Sequence, residues 1–279
     1  MSDTTSDQAT TDTPAKPPMS AVKRISIAIL TGIVAVIAIV GIGTFVMQDR
    51  ILYPGAGPHA AARPGWTEIK MQVAGYGAVS AYSLPAKPGK QTVLFIHGNA
   101  TGYEQSVKAT AGFAARGMGV FVPEWPGYGG NPGHASGDAI DATADAALQR
   151  LGTDGVKPDD IVIYGNSIGT GPAIHAAMRP HGRLLIVSGV ASIPTLVNNI
   201  YPFVPAALIK DQRDNTIEIA KVKGRITVIH AADDQVVPFA QGQALAKAAK
   251  TQIVQLPFGG HGLAFDRGLQ DALAANFER

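Results

Sequence analysis

The sequence contains no cysteine. A chain without thiols forms no disulfide, offers no thiolate nucleophile and builds no cysteine-based zinc site, so it is indifferent to the redox state of its surroundings. Charge is scarce as well: Asp, Glu, Lys and Arg make up 16% of the residues and the formal net charge is +2, whereas ordinary globular chains carry about a quarter charged residues. The basic residues are scattered, which excludes the basic face or stripe that a nucleic-acid partner requires. There is no His-Glu-x-x-His string and the 7 histidines are dispersed beyond ligand spacing, so no metal is expected. Gly41-Ile42-Gly43 lies inside an apolar run and is no dinucleotide loop, so no cofactor is expected either. No internal repeat is visible.

What the sequence has is apolar residues, 46% of 279, with positive mean hydropathy. One α/β domain of two hundred or more residues would use most of that length, and part of the apolar content must lie outside its core. Residues 1–24, rich in Ser, Thr, Asp and Pro up to Ser20, read as a disordered tail. Ile25 to Met47 is unbroken by charge and is flanked by Lys23, Arg24, Asp49 and Arg50. A helix of that length spans about 35 Å, enough to cross a hydrocarbon core of about 30 Å, so residues 25–47 are expected to be a single transmembrane signal anchor. A cleaved signal peptide is the competing reading, but the run exceeds the about 7 to 15 residues of a signal core and no persuasive A-x-A site follows. Lys16, Lys23 and Arg24 before the run outnumber Arg50 and Arg63 after it. The domain is therefore expected to face away from the cytoplasm.

In residues 48–279 short β-branched runs alternate with Ala-rich stretches, a pattern that predicts a mostly parallel sheet with helices on both faces. Thr67 to Val73 and Val79 to Leu84 read as an antiparallel pair turned by Gly75-Tyr76-Gly77. Thr92–His97, Gly119–Pro123, Ile161–Tyr164, Leu184–Val187, Ile226–His230 and Gln252–Leu256 read as buried strands. Helices are expected over 104–116, 137–151, 168–178 and 239–250. The segment from Ile193 to Ile209, with Tyr201, Phe203 and three prolines, reads equally as an apolar rim and as a connecting loop.

Gly165-Asn166-Ser167-Ile168-Gly169 falls where a β-branched strand gives way to an Ala-rich helix, the context of a nucleophile elbow. Glycines two positions either side leave room for the strained turn that lifts a serine clear of the sheet. Serine is a weak nucleophile unless a base oriented by a carboxylate takes its proton. Asp233 and Asp234 stand just beyond the strand ending at His230, and His261 is the one histidine that follows them. Oxyanion donors are expected from the backbone N–H of Ile168 and from that of Asn99 or Ala100, in the turn His97-Gly98-Asn99-Ala100. His97 reads as structural; His59, His134, His175, His181 and His230 read as surface or packing residues.

These strings together resemble the Bem46-like membrane-anchored α/β hydrolases, the group that includes the alpha/beta hydrolase domain-containing proteins 13 and 17. The resemblance runs from about Gln48 to the carboxyl terminus. It is carried by Leu52-Tyr53-Pro54, Phe95-Ile96-His97-Gly98-Asn99-Ala100, Pro126-Gly127-Tyr128-Gly129, Asn131-Pro132-Gly133, Gly165 to Gly171, Tyr201-Pro202 with Pro205, and Asp233 to Pro238. It implies the α/β-hydrolase fold and selects Asp234, through Val237, as the acid of an Asp-x-x-Val string. It also implies acyl or lipid-like substrates. The chain departs from the family pattern at His230-Ala231, usually His-Gly, and at Val187-Ser188-Gly189-Val190, usually like Glu-Ser-Pro-Phe. The expected chemistry is cleavage of an ester or thioester of a small molecule or acyl group, by Ser167, His261 and Asp234. A peptidase or amidase with the same triad, and a non-catalytic scaffold of the same fold, are the alternatives.

Overall fold

A computed structural model describes residues 20–55, 57–99, 101–202 and 204–277, which fall into two units divided after Thr44. The first carries helix α1, Ala21–Val46, with no buried residue. It begins four residues earlier than the uncharged run, taking in Lys23 and Arg24, and is long and apolar enough to cross a membrane.

The second unit opens with the short helix α2, Gln48–Leu52, and then builds an eight-stranded sheet. The strands are β1 Thr67–Val73, β2 Gly77–Leu84, β3 Thr92–Ile96, β4 Gly119–Pro123, β5 Ile161–Asn166, β6 Arg183–Val187, β7 Arg225–Ala231 and β8 Ile253–Leu256. Their order is β1-β2-β4-β3-β5-β6-β7-β8, with β2 antiparallel to both neighbours and every later pair parallel. All eight expected strands are present. β8, expected to be buried, is an edge strand whose Val254 and Gln255 are exposed; among the described residues no strand pairs beyond it.

Side chains alternate across the sheet, as a strand's period of two requires. In β3, Leu94 and Ile96 enter one core cluster while Val93 and Phe95 enter the other. The first cluster is closed by α5 Gly137–Thr153, α6 Thr170–Ala177, α8 Asn215–Ile219 and α9 Phe239–Ala248. The second is closed by α3 Tyr103–Ala109, α4 Ala111–Ala115 and α10 Arg267–Phe277. The expected helix over 104–116 is divided at Thr110, whose hydroxyl donates to the Ser106 carbonyl at 2.8 Å. Helices α2, α7 (Ile193–Ile200), α8 and α10 are additions to the sequence reading.

The segment after α1 is clamped to this body. Tyr53 is 6% exposed, packs edge-on against Trp125 and donates its hydroxyl to Asp211 Oδ2 at 2.8 Å. Arg213, beside Asp211, reaches Asp141 of α5 with two nitrogens at 3.2 Å each. A β-carbon on Gly137 would lie 2.7 Å from Arg213 Nη2, and one on Gly171 would strike the same guanidinium, so a side chain at either position would displace Arg213.

Candidate functional site

In a parallel sheet the loops at the carboxyl ends of the strands gather along one edge, and ligand sites collect there. β3, β5, β6 and β7 end at Ile96, Asn166, Val187 and Ala231, and the segments that follow carry His97, Ser167, Ser188 and Asp234.

Ser167 leaves β5 at φ +54° and opens a 3-10 turn, Ser167–Gly169, that runs into α6. A left-handed serine is strained by about 1–3 kcal/mol, and the surroundings hold it there. A β-carbon at Gly165 would stand 2.6 Å from Ala173 Cβ and 2.9 Å from the Gly169 carbonyl oxygen. One at Gly169 would strike the carbonyl oxygens of Ile96 and His97, so the elbow packs backbone to backbone on the end of β3. The Thr170 hydroxyl donates to the Ser167 carbonyl at 2.6 Å and accepts the Val190 N–H at 3.2 Å.

His261 sits in a turn made by Gly259 at φ +128° and Gly260 at φ +54°. Its Nδ1 is 2.9 Å from Asp234 Oδ2 and its Nε2 is 2.9 Å from Ser167 Oγ. With a carboxylate at Nδ1, that nitrogen carries the hydrogen and donates it, which leaves Nε2 to accept from the serine hydroxyl. Asp234 Oδ1 accepts the N–H groups of Val236 and Val237 at 2.9 Å each. Burial works to raise its pKa, but hydrogen bonds from His230, His261 and Val237 outweigh it and hold the carboxyl well below the usual range. It therefore stays ionised beside the imidazole. Asp233, the rival acid, instead accepts the Gly260 N–H at 2.8 Å and so fastens the turn carrying His261.

Of the expected oxyanion donors, Ile168 lies in the 3-10 turn directly after the serine. Asn99 follows Gly98, whose hypothetical β-carbon would be 3.2 Å from Ser167 Cβ, so this turn lies against the elbow. The Asn99 side chain accepts the Tyr128 hydroxyl at 3.0 Å, and its carbonyl accepts the Thr101 hydroxyl at 3.1 Å. Ala100 and Phe203 lie outside the described residues.

Three residues were missed from sequence. His230 is fully buried rather than a surface or simple packing residue: its Nε2 lies 2.9 Å from the Val237 carbonyl and 3.4 Å from Asp234 Oδ2. Ser188, directly after β6, has φ +52°, so two neighbouring strands are each followed by a left-handed serine; a Ser-Gly pair after a strand was the available signal. Glu124, at the end of β4, is 1% exposed; its Oε1 accepts the Tyr103 N–H at 2.6 Å and its Oε2 lies 3.9 Å from His97 Nε2. His97 Nδ1 meets the Gly98 carbonyl at 2.9 Å, and its ring stacks on Trp125 with centroids 4.0 Å apart. Burial pushes Glu124 up to about 7 against the pull of the Tyr103 N–H, and pushes His97 down to about 4 against that of the Gly98 carbonyl. Both are therefore neutral between those limits. Among the described residues no group of three or more His, Asp or Glu is arranged to hold a metal ion.

The model of the alpha/beta hydrolase family matches residues 93–220, from β3 through the elbow to the end of α8. An uncharacterized protein of Mycobacterium tuberculosis is 31% identical over 246 residues, 82% of this chain and 87% of that one. The alpha/beta hydrolase domain-containing protein 17B of Xenopus laevis is 30% identical over 175 residues, 62% of this chain and 60% of that protein. Among solved structures, an esterase of Pyrococcus furiosus superposes with a TM-score of 0.63 at 13% identity, covering 81% of this chain and 97% of that one.

Proposed function

Because this chain belongs to the alpha/beta hydrolase family, we propose that it is a serine hydrolase, held to a membrane by α1, that cleaves carboxylic esters or thioesters through an acyl-enzyme. The observation that carries this reading is His261, with one ring nitrogen 2.9 Å from the Asp234 carboxylate and the other 2.9 Å from the Ser167 hydroxyl.

In the proposed mechanism Ser167 Oγ attacks the carbonyl carbon while His261 Nε2 takes the hydroxyl proton. The ionised Asp234 holds the imidazole in the accepting tautomer and stabilises the imidazolium that forms. Negative charge develops on the substrate oxygen, where the N–H of Ile168 and a second one from Asn99 or Ala100 would receive it; losing one such donor typically lowers kcat by about 100- to 1,000-fold. His261 then passes the proton to the departing alcohol or thiol. Water, deprotonated by the same nitrogen, attacks the acyl-serine and restores the hydroxyl. Acyl or lipid-like substrates fit the resemblance and a membrane location, and the Lys and Arg distribution around α1 favours a domain on the extracytoplasmic side.

The test is labelling of the full chain by a fluorophosphonate, followed by hydrolysis of p-nitrophenyl esters of increasing chain length. Ser167→Ala is expected to abolish both signals, and Asp234→Asn to lower kcat by about 10,000-fold through the wrong tautomer. An unlabelled parent chain, or undiminished labelling of Ser167→Ala, would leave a non-catalytic scaffold as the better reading. Turnover confined to short esters would exclude a lipid-like substrate.

A further inference from the structure

From Leu184 to Ile209 the sequence holds no charged residue, although much of the second half of this stretch lies at the surface. Helix α7 buries Ile193 and packs Leu196 and Val197 against the core, yet at its far end Ile200 is 54% and Tyr201 46% exposed. It packs beside a 3-10 turn, Ala206–Leu208, whose Leu208 is also 54% exposed. Ile200 and Leu208, two large aliphatic side chains more than half exposed in a charge-free segment, make an apolar surface of the kind that meets a partner or lipid.

The neighbouring chain identifies which. Gln48 donates its side-chain N–H to the Leu208 carbonyl at 2.6 Å and accepts the Lys210 N–H at 2.7 Å. The Lys210 ammonium donates to the Val46 carbonyl at 3.2 Å and lies 5.1 Å over the Phe45 ring. Residues 208–210 are thus fixed to residues 45–48, which are the end of the apolar helix and the residues directly after it. A helix of 26 residues is about 39 Å long, against a hydrocarbon core of about 30 Å. Its last turn and Gln48 therefore fall at the boundary between acyl chains and headgroups. Three hydrogen bonds to residues 46–48 hold the Leu208–Lys210 segment beside that end of the apolar run.

We infer that Ile200, Tyr201 and Leu208 form a membrane-contact surface, seated in the headgroup–acyl boundary of the bilayer that α1 crosses. This rests on reading α1 as an anchor. Tyrosine and lysine are the residue types that settle at such boundaries, ring or stem in the apolar layer and polar end in water. The ammonium of Lys210 lies 3.9 Å from Asp49 Oδ2, so the patch carries little net charge. The contact is apolar and takes zwitterionic lipid as readily as anionic lipid.

The absence of native cysteine makes the experiment direct. Leu208→Cys and Ile200→Cys in the full chain are labelled with an environment-sensitive fluorophore and reconstituted in phosphatidylcholine vesicles containing a lipid with a nitroxide at the shallow end of its acyl chain. Arg267→Cys, on α10 over the other face of the sheet, is the reference. Labels at 200 and 208 are expected to emit blue-shifted and to be quenched at least threefold more than the label at 267, equally in vesicles with anionic lipid. Water-like emission at 208 with quenching no greater than at 267, in chains that stay with the vesicles through an alkaline carbonate wash, overturns the contact surface and leaves the anchor standing. Release of the chain by the wash overturns the anchor, and the inference with it.

Discussion

At the scale of single residues, the pair formed by Glu124 and His97 makes the most specific demand. Both are essentially out of water, and His97 Nε2, Glu124 Oε2 and Trp125 Nε1 have no hydrogen-bond partner among the described residues. A carboxyl raised from 4.5 to about 7 by folding binds its proton more tightly when folded. Its contribution to stability is present below pH 4.5 and is lost, by about 3 kcal/mol in all, as pH rises through 7. His97 runs the other way: lowered from 6.5 to about 4, it contributes above 6.5 and loses that contribution as pH falls through 4. The two slopes oppose each other in the parent chain. Glu124→Gln keeps an acceptor for the Tyr103 N–H and cannot ionise. It is expected to match the parent near pH 4 and to exceed it by about 3 kcal/mol at pH 8, read by urea unfolding across that range. A difference that does not vary with pH would show that Glu124 is solvated. None of this was legible in the sequence, where Glu124 is one polar letter between Pro123 and Trp125 and its isolation depends on Tyr103 and His97 folding over it. The candidate triad was legible because strand order and chain order agree: serine after β5, acid after β7, histidine after β8. Choosing Asp234 over Asp233 required either a family pattern or the observed bonds to His261 and Gly260.

Whole elements were read with uneven success, and α10 shows why. Its buried face is Gln270, Leu273, Ala274 and Phe277, a helical stripe disguised by a glutamine. That glutamine is 1% exposed and satisfies three backbone groups: it accepts the Gly112 N–H at 2.8 Å and donates to the Ala264 and Lys108 carbonyls at 2.8 and 3.0 Å. It therefore joins α10 to α3, α4 and the turn that holds His261. Gln270→Leu has similar volume but strands those groups, and is expected to lower stability by about 2–3 kcal/mol and melting by about 5–10 °C. Melting within a degree of the parent chain would mean that water replaces the lost bonds. The eight strands were legible because β-branched runs in a covered sheet have few alternatives. Helices α7 and α8 were not, being short and capped by Ser192 and Asp214 side chains that look from sequence like ordinary loop residues.

For the molecule as a whole, the proposal of a membrane anchor predicts a simple partition. The full chain is expected to remain with membranes after a carbonate wash. Val34→Asp together with Ile37→Asp, in the middle of α1, adds about 2.5–3.5 kcal/mol per charge to insertion and is expected to move a large part of the chain into the wash. Equal retention of both chains would point to attachment by some other surface. The clamp of Tyr53, Asp211, Arg213 and Asp141 gives that partition a mechanical side. Tyr53 bonds Asp211 and Arg213 bonds Asp141, so the segment after α1 is joined to α5, the longest helix of the second unit, and the same guanidinium lies against Gly171 of α6. If α1 is the anchor proposed above, the join between lipid and domain is a packed tyrosine and an ion-paired cluster rather than a free linker.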